Sequence, residues 1–357
     1  MANQKAKPTT LTQAAFAMRK IILFGGFGLL TLIVGRVFLE AAVAYWKATH
    51  PEPPPPPTVG FGILPKLVFS EQENPTLTYK LDMTSQRLRP FSDRARVFFQ
   101  PSKRANLLAL ERAGEQAKTL GFLFEPDRIS DEVYRWRRTT PIPGVLDYNI
   151  VTGTFALRVD WQSDPNFLQQ NRLPNEDDAI STTRQLLSSV GLLSKDIATG
   201  SAKVSYLRAD TDGFTNTVSF SESDFLEVNI FRTDINSQFK VLTEKPSQGT
   251  IRAVISGNSD RSQQLVSLIY NYLPVDYEVV HTYPIITPSQ AFEVLSSGNG
   301  YVAALAPDQT DIVIRNIYLA YYDSGKQQQY MQPIYVLEGD GGYVGYVPAI
   351  DSTWITQ

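Results

Sequence analysis

The side chains that most often carry enzyme chemistry are scarce in this chain of 357 residues. It contains no cysteine and two histidines, His50 and His281. Cysteine nucleophiles, thiolate metal sites and disulfides are therefore excluded, and a histidine-based zinc site or catalytic triad lacks its residues. His281 lies in the alternating run from Tyr277 to Tyr283, which predicts a strand. We expect no catalytic, cofactor-binding or metal-ligating residue.

Two short motifs resemble ligand loops but predict turns. Asp210 to Gly213 begins like a calcium loop, but Ser219 stands where such a loop places its final Glu. The glycines from Gly339 to Gly345 connect two predicted strands instead of opening a helix, so they favour a hairpin over a phosphate site. A hydrolase that uses two carboxylates alone stays open, because a sequence does not show which acids face each other.

Tyrosines are concentrated near the C-terminus. A tyrosine combines apolar area with a hydrogen-bonding tip, so Tyr321, Tyr322 and Tyr335 are candidates for a face that binds a peptide or a wall polymer. The alternative is that they are core residues and cross-strand neighbours within a sheet.

One segment near the N-terminus is apolar enough to cross a membrane. Residues 21–46 are predicted as a transmembrane helix, because a hydrocarbon core about 30 Å thick needs roughly 20 helical residues. The positive charges that precede it place the N-terminus in the cytoplasm and everything after Trp46 outside; they are Lys5, Lys7, Arg19 and Lys20. A cleaved signal peptide is the alternative, since Ala42 to Ala44 has the form of a cleavage site.

This helix also carries residues that favour association with another helix. Arg36 and Glu40 are four residues apart and can pair on one helical face. Small residues recur beside them at near-heptad spacing, which allows close helix packing; they are Gly28, Thr31, Gly35 and Ala42. The alternative is that Arg36 and Glu40 reach the membrane boundary as single snorkelling side chains.

The predicted fold class is α+β, with one transmembrane helix followed by repeated units of one helix packed on a small antiparallel sheet. The predicted segments are a cytoplasmic tail (1–20), the helix (21–46), a proline-rich spacer (47–62) and three α+β units (63–172, 173–245 and 246–357). The prolines from 51 to 57 favour an extended polyproline conformation.

Each unit is predicted to contain one helix followed by strands, and in the first unit a further strand precedes the helix. The helices are expected at 103–120, at 175–190, and from Pro288 to Leu295 with Thr287 as the cap. The strands are expected at 77–83, 132–138, 145–151, 154–159, 202–208, 225–232, 239–242, 312–322, 332–337 and 343–350.

The third unit resembles the C-terminal part of the YycH/YycI regulatory proteins and, more broadly, PepSY-like modules. The resemblance lies in a capped helix closed by glycine, a strand that ends in two tyrosines, and a Gln-Pro-x-Tyr segment. The matching positions are Thr287, Ala291, Gly298, Tyr321, Tyr322, Gln332, Pro333 and Tyr335. It implies a bacterial, membrane-anchored regulator without enzyme activity, which controls a membrane partner such as a sensor kinase.

The charge distribution agrees with an envelope protein. Residues 59–160 hold 15 Lys/Arg and 12 Asp/Glu, whereas residues 161–357 hold 12 and 22. The acidic distal part argues against nucleic-acid binding. We therefore expect an extracytoplasmic regulatory or protein-interaction module that contacts the lipid bilayer and another membrane protein. A structural or cell-wall-binding protein is the alternative, and a carboxylate-only hydrolase is a remote one.

Overall fold

The protein, described by a computed structural model, divides into an N-terminal unit up to Pro56 and a larger unit from Pro57 onward. The structure describes residues 11–49, 56–72, 76–82, 92–102, 106–169, 172–211 and 213–356. Residues 1–10 of the predicted tail, residues 50–55 of the predicted spacer, the start of the helix predicted at 103 and Asp212 of the predicted turn lie outside these residues.

The described part of the N-terminal unit is one helix, α1 (Leu11–Thr49), of 39 residues. It begins ten residues before the predicted span, because the segment from Leu11 to Lys20 contains no proline or glycine and is rich in alanine. Residues 14–46 form a helix long and apolar enough to cross a membrane, with a mean hydropathy of 2.1 over an 18-residue window. At 1.5 Å per residue α1 is about 58 Å long, roughly twice a hydrocarbon core.

The larger unit is rich in sheet. Within its described residues it contains the helices α2 (Ala109–Thr119), α3 (Glu176–Ser189), α4 (Lys195–Ala198) and α5 (Pro288–Val294). Its strands are β1 (Thr78–Leu81), β2 (Arg94–Phe99), β3 (Asp127–Arg128), β4 (Val133–Arg138), β5 (Gly144–Asn149), β6 (Phe155–Val159), β7 (Ala202–Asp210), β8 (Gly213–Thr217), β9 (Phe225–Ile230), β10 (Val241–Leu242), β11 (Ile251–Ser256), β12 (Leu265–Tyr270), β13 (Asp276–Pro284), β14 (Tyr301–Ala304), β15 (Asp311–Tyr322), β16 (Tyr330–Met331), β17 (Pro333–Gly339) and β18 (Val344–Pro348).

Nine of these strands form one antiparallel sheet in the order β3-β4-β5-β6-β12-β11-β9-β7-β8. Helices α2 and α3 pack on it through small and apolar side chains, among them Ala113, Ala117, Ala179 and Leu187. Alternating residues of β5 and β6 are buried beneath them, as a sheet with one covered face requires. The sheet and its helices form the largest core of the protein.

The C-terminal part is built on a second sheet in the order β1-β15-β17-β18-β14, in which β10 also pairs with β15. Both β1 and β10 run parallel to β15 and pair with opposite ends of this long strand. Helix α5 covers one face through Ala291. A small sheet in the order β13-β2-β16 completes the unit.

The mixed α+β class is confirmed, but the repeat of separate helix-on-sheet units is not. The nine-stranded sheet takes strands from all three predicted units, and β6 of the first pairs with β12 of the third from Phe155 opposite Tyr270 to Arg158 opposite Ser267. The predicted boundaries at 172/173 and 245/246 therefore run through a continuous sheet. Hydrophobic periodicity predicts strands but does not show which edges will pair.

Individual elements follow their local signals closely. Helix α3 begins after Asn175, whose side chain accepts from the amide of Asp178. Helix α5 has Pro288 at its first position and a capping box between Thr287 and Gln290. The predicted strands did not include β2, β3, β8, β11, β12, β14 or β16.

The end of the predicted spacer belongs to the larger unit. The amide of Val59 donates to the carbonyl of Thr282 at 3.0 Å, and Leu64 is fully buried where it bridges to Ile355. Gly60 packs so closely on the His281 ring that a Cβ there would lie 2.2 Å from it. Residues 57–62 are thus packed against β13 and are not free spacer.

Candidate functional site

The predicted ion pair of α1 is present. Arg36 Nε donates to Glu40 Oε1 at 2.9 Å, and both side chains are exposed. Thr31 donates its hydroxyl to the carbonyl of Phe27 at 2.8 Å, so its polar group is satisfied within the helix. A Cβ added at Gly28 or Gly35 would meet no atom within 4 Å.

The ion pair and the small residues occupy different faces of α1. At about 100° per residue, the small side chains fall within a sector of roughly 60°; they are Gly28, Thr31, Gly35 and Ala42. Arg36 and Glu40 are centred roughly 130° away from that sector. A partner helix on the small residues would therefore leave the ion pair to one side.

The three candidate tyrosines lie in the core. Tyr321 and Tyr322 are neighbours on β15 and point to opposite faces, yet both are buried because each face is covered. Tyr321 donates to the carbonyl of Arg96, and Tyr335 donates to that of Ile286 at 2.8 Å. Burial raises the pKa of Tyr335 to about 12. None of the three lines an exposed binding face. They are core residues of the sheet, which was the alternative that the sequence left open.

A buried charged cluster joins the two large sheets, and its centre is Arg232. This arginine follows β9 and is fully buried. Its Nε donates to Asp323 Oδ2 and its Nη1 donates to Asp196 Oδ2, each at 2.7 Å, while Nη2 donates to the carbonyl of Leu273. Its guanidinium also lies 4.3 Å from the ring of Tyr272. Every nitrogen of the guanidinium therefore has an acceptor.

The two carboxylates of this cluster differ in how fully they are bonded. Asp196 also accepts hydrogen bonds from Ser194 and Tyr272, at 2.7 and 3.0 Å. Asp323 Oδ2 accepts from the hydroxyl of Thr250 at 3.1 Å, but Asp323 Oδ1 has no hydrogen-bond partner among the described residues. One acceptor is thus left over in a buried position.

Electrostatics favour the charged forms of Arg232 and Asp196. Burial opposes the charged form of Arg232, but the combined effects of Asp323, Tyr277 and Asp196 outweigh it and raise the pKa of the guanidinium. Burial would also raise the pKa of Asp196, but the charge of Arg232 and the hydrogen bonds that the carboxylate accepts lower this pKa below its ordinary value. The pKa of Arg232 is raised and that of Asp196 is lowered because the cation lies between two carboxylates.

Among the cavities lined by described residues, two lie at the ends of central strands of the nine-stranded sheet. One of about 380 Å³ lies beside α2, where Tyr148 donates to Gln116 at 2.5 Å. Burial raises the pKa of Tyr148 to about 12. The other, of about 190 Å³, lies beside the buried cluster and is lined by Thr243, Glu244, Lys245, Gln248, Gly249, Thr250, Arg252, Asn271, Asp323, Ser324 and Gly325. We call it the Asp323 cavity.

The suspected ligand loops are turns. Asp210 accepts hydrogen bonds from Thr211 and Thr215 at the end of β7. The glycines that follow β17 form a tight turn, in which Gly341 and Gly342 adopt positive φ angles of 69° and 79°. Within the described residues there is no group of three or more His, Asp or Glu side chains that could hold a metal ion.

Comparisons with known proteins give a structural similarity without a family. No family model matches the sequence, and no curated protein matches it. An uncharacterized protein from Eubacterium rectale, known from its crystal structure, is similar over 72% of this chain and 82% of its own, with 11% sequence identity and a TM-score of 0.33. Functional inference therefore rests on this chain's own geometry.

Replacing Arg232 should destabilise the larger unit strongly. We expect Arg232→Met to lower the free energy of unfolding by about 3–5 kcal/mol, because it leaves two buried carboxylates without their cation. Denaturant unfolding of the full chain, followed by tryptophan fluorescence, measures this. Arg128→Met removes the exposed pair with Asp131 and should cost at most about 1 kcal/mol. Equal losses in the two variants would contradict the central role of Arg232.

The contribution of Asp196 should depend on pH. Its pKa is lowered on folding from 3.8, so the unfolded chain binds more protons in this range. The stabilisation is therefore complete above the unfolded-state pKa and is lost as the pH falls through the lower, folded-state pKa. Thermal melts of wild type and Asp196→Asn should differ most above about pH 5 and converge in stronger acid. A difference that grows on acidification would refute this assignment.

Proposed function

We propose that the chain is a single-span membrane protein whose larger unit lies outside the cytoplasm and acts as a non-enzymatic regulatory or interaction module. The observation that carries the proposal is α1, whose residues 14–46 are long and apolar enough to cross a membrane. It is supported by Arg19 and Lys20 on the N-terminal side of the apolar stretch, because positive charge favours the cytoplasmic side.

The dimensions of α1 fit a retained anchor. Counted from Lys20, a hydrocarbon core of about 30 Å ends after roughly 20 residues, near Glu40. Arg36 then lies about one turn inside the outer boundary, from which its long side chain reaches the headgroups while its bond to Glu40 persists. Charge near that boundary costs far less than charge at the centre of the bilayer.

The small residues on one face of α1, which we call the stripe, suggest how the module acts. They are Gly28, Thr31, Gly35 and Ala42. Helices approach closely in membranes where glycine and other small residues face each other, and the space beside Gly28 and Gly35 is open. We propose that another membrane protein packs its span on this stripe. The resemblance of the third unit to YycH/YycI proteins suggests a sensor kinase as that partner.

A structural or wall-binding envelope protein is the second candidate. Both functions require the larger unit to be exported, and neither requires catalytic residues. They differ in the partner, which is a membrane protein in the first case and a wall polymer in the second.

The absence of native cysteine allows a direct test of orientation. Single cysteines are introduced by Gln4→Cys in the tail and by Gln327→Cys on the surface of the larger unit. In intact cells, a membrane-impermeant maleimide should label the Gln327→Cys protein and leave the Gln4→Cys protein unlabelled until the membrane is permeabilised. Labelling of the Gln4→Cys protein in intact cells would reverse the proposed orientation.

Substitutions on α1 test whether the span itself binds a partner. Gly35→Leu should lower the yield of a photo-cross-link placed at Thr31 severalfold, because a large side chain separates closely packed helices. Gly26→Leu is the matched control, since its Cβ position is equally open and it lies on the opposite side of the helix. The cross-link yield of the Arg36→Gln variant tests separately whether the face that carries the ion pair contributes to partner packing. Equal yields for the Gly26 and Gly35 variants would contradict partner packing on the stripe.

A further inference from the structure

We propose that the Asp323 cavity binds a small zwitterion of the α-amino-acid type, with its ammonium group on Asp323 and its carboxylate towards Lys245 and Arg252. The inference concerns the larger unit alone and does not depend on where that unit resides or on what α1 binds.

The first argument is an acceptor that nothing uses. Asp323 is 1% exposed, and its Oδ2 is taken by Arg232 and Thr250. Its Oδ1 has no partner among the described residues, although Asp323 lines a cavity. A buried carboxylate oxygen without a donor is costly, and a ligand that brings an N–H group removes that cost.

The second argument is an imbalance of charge. Within the buried cluster, two carboxylates, Asp196 and Asp323, share the single positive charge of Arg232. The other acid that lines the cavity is Glu244, which accepts from the backbone amide of Ser70 at 2.6 Å. The buried cluster beside the cavity therefore carries one net negative charge, which favours a cationic group such as ammonium over a neutral donor.

Positively charged side chains also line the cavity. Lys245 is exposed and forms no salt bridge with the described residues, and Arg252 reaches Glu227 only at 3.9 Å. Asn271 is also exposed there. These donors suit a carboxylate, and the arrangement of acid inside and base outside suits a molecule that carries both charges.

The volume limits the size of such a ligand. At about 190 Å³ the cavity exceeds many times the space of roughly 10–15 Å³ that one water needs. It is smaller than the pockets of about 300–1,000 Å³ that hold drug-sized ligands. Small amino acids, such as glycine, alanine and serine, are therefore the class that fits in both size and charge.

Titration of the full-length chain in detergent tests this directly. L-alanine, L-serine and glycine should bind and raise the melting temperature, whereas propionate, which lacks the ammonium group, should not bind. Ethylamine, which lacks the carboxylate, should bind more weakly than L-alanine. No binding of the amino acids at up to about 10 mM, or equal binding of propionate and alanine, would overturn the proposal.

Matched variants locate the site. Asp323→Asn and Asp196→Asn remove the same charge from the Arg232 cluster, but of these two carboxylates only Asp323 lines the cavity. Asp323→Asn should therefore weaken L-alanine binding at least about tenfold, and Asp196→Asn should change it much less.

Variants at the mouth keep the test decisive if Asp323→Asn fails to fold. Lys245→Gln combined with Arg252→Gln should weaken alanine binding by roughly tenfold and leave ethylamine binding unchanged. Lys203→Gln, an exposed substitution on β7, is the control. Unchanged alanine affinity in the mouth variant would overturn the assigned orientation.

Discussion

The guanidinium of Arg232 holds the larger unit together at the point where its two main sheets meet. It bonds to Asp196 in α4, to Leu273 after β12 and to Asp323 at the end of β15. A buried cation is tolerated only when each of its donors finds an acceptor, so these segments are fixed relative to one another. The nine-stranded sheet and the C-terminal sheet consequently share one polar centre as well as apolar contacts.

The same centre accounts for the chemistry that surrounds it. Each nitrogen of Arg232 has an acceptor and both oxygens of Asp196 accept hydrogen bonds, but Asp323 Oδ1 has no hydrogen-bond partner among the described residues. In a medium of low polarity an unpaired acceptor and an excess negative charge are both costly, and the adjoining cavity is where a donor can relieve them. Structural stability and the proposed ligand site thus arise from one arrangement of charges.

Different interactions determine the surface of helix α1, because the helix forms no part of that core. Its apolar surface suits lipid, its small residues suit another helix, and its ion pair from Arg36 to Glu40 stands on a separate face. The chain divides after Pro56, so the proposed anchoring and the proposed recognition fall on separate units.

The sequence alone determined the features that depend on neighbours along the chain: the apolar length of α1, the pairing of Arg36 with Glu40, the capping of α3 and α5, and most strands. It did not determine which strand edges meet, so it divided a continuous sheet into units. It also left open whether Tyr321 and Tyr322 face a ligand or the core, because burial depends on what covers each face of β15. The Arg232 cluster had no sequence signal, since its partners are 36 and 91 residues away. Only tertiary packing brings such distant charges together, because the cost of burying each one is offset solely by the others.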